Sequence, residues 1–115
     1  MPPEANAFLP LTHLVYHLLL ALAEEPGHAY ALVQRIRDNS DGRIDPGTGS
    51  FYSIIRQTVD AGLIVDAPGD KDESRRRVYA LTPLGRRVLE AEAARLEAQL
   101  AATRRSLGLA GRRPR

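Results

Sequence analysis

The sequence contains no cysteine and no tryptophan. The first absence removes disulfides, thiolate metal ligands and a cysteine nucleophile together. Aromatics are sparse, four tyrosines and two phenylalanines in 115 residues, so a flat aromatic sandwich for a planar ligand is not evident. No apolar run reaches the roughly 18 residues that span a bilayer. The N-terminus lacks the basic-then-apolar layout of a secretion signal, because Glu4 is the sole charge ahead of a broken apolar stretch. The expectation is a soluble cytoplasmic protein with one modest core and no structural staple.

What the sequence does have is an uneven distribution of charge. Residues 1–70 carry Arg35, Arg37, Arg43 and Arg56 against nine acidic residues; residues 71–115 carry Lys71 and eleven arginines against five. Such asymmetry suits a surface that meets a polyanion. Arginine is also the cation best shaped for phosphate and guanine edges. A coding sequence rich in G and C would favour arginine everywhere, so composition alone does not decide.

Along the chain, residues 1–10 hold three prolines and no period, and read as a flexible arm. Leu11, Leu14, Val15, Leu18, Leu19 and Leu22 then follow helical spacing, with Thr12 as N-cap and Pro26-Gly27 as the stop. A second helix is expected from about His28 to Asn39, burying Tyr30, Leu32, Val33 and Ile36. Ile44 is read as a very short strand. A third helix, about Gly49 to Ala61 with Thr48 as N-cap, buries Phe51, Ile54, Ile55 and Val59. The period then changes to two. Leu63-Ile64-Val65 and Arg77-Val78-Tyr79-Ala80-Leu81 read as strands around a polar hairpin loop, Pro68 to Ser74. Thr82-Pro83 starts a long last helix running to about Arg105, and the basic tail 108–115 has no apolar period.

Helix, helix, helix, hairpin, long helix is a mainly α arrangement with a minor β component: a winged helix-turn-helix with a two-stranded wing. In that geometry the third helix enters the major groove and the wing lies on the neighbouring backbone. The division read from the sequence is an arm over 1–10, a DNA-binding domain over 11–82, a dimerisation helix over 83–107 and a flexible tail over 108–115.

Four segments stand out together: Gly27-His28-Ala29-Tyr30-Ala31-Leu32, Gly49-Ser50-Phe51-Tyr52-Ser53-Ile54-Ile55-Arg56, Ala61-Gly62-Leu63-Ile64, and Arg75-Arg76-Arg77-Val78-Tyr79-Ala80-Leu81-Thr82-Pro83-Leu84-Gly85. In this order they resemble the PadR-like family of winged-helix regulators, over about residues 12–105 and in its shorter form with a single C-terminal helix. The resemblance implies a homodimer, held by the last helix, that represses genes from a palindromic operator in double-stranded DNA. It also admits a small-molecule inducer at the dimer interface. Ala29 stands where the family usually has glycine, and Gln57-Thr58 where it has a basic residue and leucine. Neither departure threatens the fold, but both warn against copying the family's operator.

The residues expected to meet DNA follow from docking geometry. Thr48, Ser50, Tyr52, Ser53 and Arg56 lie at and after the start of the recognition helix, where side chains reach base edges. Lys71, Arg75, Arg76 and Arg77 lie on the wing, where contacts go to phosphate. Tyr52 competes with a reading as a partly buried cap of the sheet, and the arginine run with a merely solvated face.

For dimerisation, Leu89, Ala93, Leu96, Leu100, Thr103 and Leu107 recur at alternating gaps of four and three. Leu14, Leu18 and Leu22 of the first helix are expected to complete that interface. His13 and His17, four apart, could face one zinc ion, yet no third ligand is nearby and no metal or cofactor is expected. Gly47-Thr48-Gly49 lacks the third glycine and the preceding strand of a dinucleotide loop. No nucleophile elbow is present, so no catalytic residue is assigned and an enzyme is not expected. The alternative function is a winged-helix module whose basic wing binds an acidic protein.

Overall fold

The computed structural model describes residues 3–67 and 77–109. Its elements are α1 (Pro3–Asn6), α2 (His13–Glu24), α3 (Ala29–Asn39), α4 (Thr48–Asp60), β1 (Ile64–Ala67), β2 (Val78–Leu81) and α5 (Pro83–Ser106). The two strands pair antiparallel, Ile64 opposite Leu81 through Ala67 opposite Val78. Helices α2, α3 and α4, followed by a two-stranded wing and the long α5, make this a winged helix-turn-helix. No helix among the described residues is long and apolar enough to cross a membrane.

Helices α2 and α5 owe their starts to threonine caps. The Thr12 hydroxyl accepts from the Val15 N–H at 3.2 Å and so caps α2. Thr82 does more: its hydroxyl accepts from the Gly85 N–H at 2.9 Å while donating to the Gly62 carbonyl at 2.6 Å. One side chain thereby caps α5 and fastens it to the turn that follows α4. At the other end of α2, Arg35 donates to the carbonyls of Ala21, Glu25 and Pro26, which the helix itself leaves unpaired. Gly47, not Thr48, occupies the N-cap position of α4. Ile44 forms no strand. Its N–H donates to the Ser40 hydroxyl instead, and β2 is joined by an isolated bridge from Gly27 to Tyr79.

The core sits where α2, α3, α4 and the base of the wing converge. Leu18, Leu19, Leu32, Ile36, Phe51 and Ile64 are buried there, and Val88 closes it from α5. Two expectations are corrected by this packing. Leu18 and Leu22 are 0% and 3% exposed within their own chain, so they cannot reach a partner subunit. The apolar stripe of α2 is wide enough that these positions turn inward against α3 and α5, while Leu14 stays half-buried. Tyr30 is 76% exposed rather than buried. Ala29, Leu32 and Ile36 form the inward stripe of α3, and one residue beyond Ala29 rotates the side chain about 100° off it.

The sequence predicts a flexible arm over 1–10, but three of its described residues pack. Ala5 is fully buried, Phe8 and Leu9 lie against the core, and Glu4 pairs with Arg87 at 3.7 Å. The fastening is Glu92 of α5, a carboxylate 2% exposed. It accepts from the Leu11 N–H at 2.9 Å and from Arg95 at 2.5 Å and 3.0 Å. The Arg95 hydrogen bonds, helped by the Leu11 amide against the opposing effect of burial, hold its carboxyl below the ordinary range.

A depressed folded-state value means that this group stabilises the fold above the ordinary glutamate range, about 4.3. The contribution is lost as pH falls from there through the lower folded value. Glu92→Ala is expected to cost about 1–3 kcal/mol at neutral pH, because it leaves the Leu11 amide without its buried acceptor. It should also flatten the acid limb of the stability profile. Urea titrations at pH 7 and pH 3 check both; equal losses at the two pH values would contradict the role.

Candidate nucleic-acid interface

The two faces of α4 differ sharply. Phe51, Ile55 and Thr58 are 1%, 2% and 4% exposed and anchor the helix to the core. The Thr58 hydroxyl is satisfied by donating to the Ile54 carbonyl at 2.6 Å, so threonine sits in this core position without an orphaned polar group. Ser50, Tyr52, Ser53 and Arg56 all lie on the exposed face. Tyr52 is 54% exposed, so it is not a buried cap of the sheet. Thr48 is the first residue of the helix. The helix start carries no acidic side chain in its first turn, leaving its amide dipoles unopposed toward an anion.

Between this face and the wing lies an open cleft of about 710 Å³. Tyr52, Ser53 and Arg56 form one wall, and Asp66, Arg77 and Tyr79 form the other. Tyr79 is 8% exposed, and burial, then the neighbouring Asp66 charge, push its phenol above the ordinary range. Its backbone exchanges two hydrogen bonds with Gly27, at 2.9 Å and 3.0 Å, tying the wing to the turn ahead of α3. His28 adds a second tie, its Nδ1 lying 3.3 Å from the Arg77 carbonyl.

Of the wing cations expected from sequence, Lys71, Arg75 and Arg76 lie outside the described residues. Arg77 is described and is paired: its guanidinium donates to Asp66. Sequence reasoning missed that acid, whose partner is set by strand register. It also missed the exposure of Tyr30, which the one-residue offset from Ala29 could have signalled.

The dimer candidates divide along α5. Leu89 is half-buried against its own domain, whereas Leu96, Leu100 and Leu107 are 38%, 49% and 66% exposed. From Ala93 onward every described residue except the half-buried Arg95 is exposed, so the last half of the helix projects from the domain. The chain is accordingly elongated, 57 × 32 × 23 Å.

These features have counterparts in known proteins. The family model described as the transcriptional regulator PadR-like family matches residues 18–91. A curated relative from Streptomyces fradiae, an uncharacterised 37.1 kDa protein of transposon TN4556, is 36% identical over 76 residues. That match takes 66% of this chain but 21% of the relative, so the chain spans about a fifth of that protein's length. Two solved structures share the fold. A transcriptional regulator from Clostridium thermocellum superposes with a TM-score of 0.67 at 21% identity, over 81% of this chain and 88% of that one. The complex of hsRosR-S4 gives 0.64 at 20% identity, over 90% and 98%. With well over half its length matched by the family model, the chain belongs to the PadR-like family of transcriptional regulators.

Proposed function

We propose that the protein is a homodimeric repressor that seats α4 of each copy in successive major grooves of a palindromic operator. The two recognition helices would lie about 34 Å apart, one turn of duplex. The observation that carries this reading is the two-sidedness of α4: apolar anchors inward, and Ser50, Tyr52, Ser53 and Arg56 outward beside the wing cleft. Thr48 joins them at the helix start. Lys71, Arg75 and Arg76 would place the wing along the flanking phosphates, contacts that set register rather than sequence. The projecting half of α5 would pair with its counterpart through Leu96, Leu100 and Leu107, with Leu89 and Leu14 at the edge.

In this reading residues 11–82 read DNA and residues 83–107 set the spacing between the two copies. Repression follows from occupancy of a promoter. A small-molecule effector would release the operator by binding better to a dimer whose recognition helices are wrongly spaced, since only such a difference in affinity shifts the equilibrium.

In this reading Arg56 contacts a base. Arg56→Ala should therefore cost about 1–3 kcal/mol on the operator and much less on random duplex. Fluorescence anisotropy on both duplexes checks the difference. Equal losses on the two would reduce Arg56 to a backbone contact.

A further inference from the structure

The cleft between α4 and the wing contains an acid that the DNA-binding reading does not require. Arg56 and Arg77 line opposite walls of this cleft. Arg56 has no ion-pair partner among the described residues, whereas Arg77 is held by Asp66. The pair is partly exposed, with 27% of the Asp66 side chain and 53% of the Arg77 side chain accessible. Asp66 lies opposite Tyr79 in the strand register, two positions along from Arg77, and the Arg77 backbone is itself tied to His28. A carboxylate on a phosphate-facing surface repels the ligand and occupies a cation that would otherwise bind it.

We propose that Asp66 is a specificity-determining residue: it holds Arg77 in the cleft and withholds it from sequence-independent phosphate contact. The inference rests on the DNA-binding reading above. Non-specific affinity comes almost wholly from cations that displace counterions from the backbone. A guanidinium already neutralised by a carboxylate must exchange one anion for another, and so contributes little of that driving force. An exposed pair is weak enough to exchange where α4 makes base contacts and holds the wing against the duplex. On random DNA nothing holds it there. Discrimination is a ratio of affinities, so weakening the random complex improves it without any added contact to the operator.

The test is a double-mutant cycle of the full chain on a short random-sequence duplex, with affinity measured across a salt series for the wild type, Asp66→Asn, Arg77→Ala and the double variant. Asp66→Asn should raise low-salt affinity threefold to tenfold and steepen the salt slope by about one unit. Arg77→Ala alone should change affinity less than about twofold, and the double variant should return to the wild-type value. Matching thermal melts by circular dichroism verify that each chain is folded. If Asp66→Asn is unstable, the Arg77→Ala arm still decides, because a tenfold loss from it would mean that Arg77 already grips phosphate. A gain that persists without Arg77 would make Asp66 a simple repelling charge and overturn the proposal. Failure of all four folded chains to bind any duplex would contradict the DNA-binding reading itself.

Discussion

Replacing Gly85 by alanine is expected to destabilise the domain by about 3 kcal/mol. A Cβ at this position would lie 2.0 Å from the Leu63 carbonyl oxygen and 2.9 Å from Leu81 Cδ1. The leucine could rotate away, but the carbonyl could not. Leu63 is held on both sides, its N–H donating to Thr58 and its carbonyl accepting from the Thr82 N–H at 3.1 Å. Relief would require α5 to move off the wing, breaking the Thr82 cap and opening the core at Val88. Thermal unfolding should show a midpoint lower by roughly 10–20 °C for a domain of this size. Gly49→Ala is the natural control, since a Cβ there meets nothing within 4 Å. It should be neutral or stabilising by up to about 1 kcal/mol, the helical preference of alanine over glycine. A loss below 1 kcal/mol at Gly85 would mean that α5 and the Leu63 carbonyl do not approach as closely as described.

The second large effect is expected at the other end of α5. Leu96→Glu with Leu100→Glu should leave a folded monomer and lower operator affinity by about a hundredfold or more, the scale set by losing a linked second site. Both side chains are 38–49% exposed in the single chain, so the domain does not need them to fold. In a two-fold dimer each substitution appears twice across a self-complementary interface. Four carboxylates would then replace four leucines, each of which gives about 1.5–3 kcal/mol when fully buried. Light scattering coupled to gel filtration reports the mass, and anisotropy the affinity. A double variant that stays dimeric, or a wild type that is monomeric at the same operator affinity, would contradict the role given to α5.

Much of the architecture was legible because its signals are local. Thr12 and Thr82-Pro83 mark helix starts through the chain's own next turn, and the change of period after Gly62 marks the wing. The exposed face of α4 was legible for the same reason: once Phe51 and Ile55 are fixed inward, Ser50, Tyr52, Ser53 and Arg56 must point elsewhere. The failures share one cause. Leu18 and Leu22 lie on a helix whose whole stripe is leucine, and periodicity cannot say which part meets the chain's own core and which a partner. Tyr30 is apolar enough to suggest burial, but its one-residue offset from Ala29 turns it outward. Ala5, Phe8 and Leu9 carry no period, yet they pack against the core, and the neighbouring Leu11 amide is held by Glu92, 81 positions further on. Asp66 likewise acquires meaning only through its partner 11 residues away across the hairpin. Contacts that depend on tertiary placement leave no mark in spacing.

The central claim is that α4 and the wing bind duplex DNA with sequence preference. The most direct measurement is affinity across a salt series for the DNA immediately upstream of the protein's own gene, with random duplex as competitor. The account predicts tight binding centred on a palindrome, one dimer per site, with affinity falling steeply as salt rises. Equal and weak binding to both duplexes, with or without candidate effectors, would contradict it and assign the basic wing to an acidic protein partner instead.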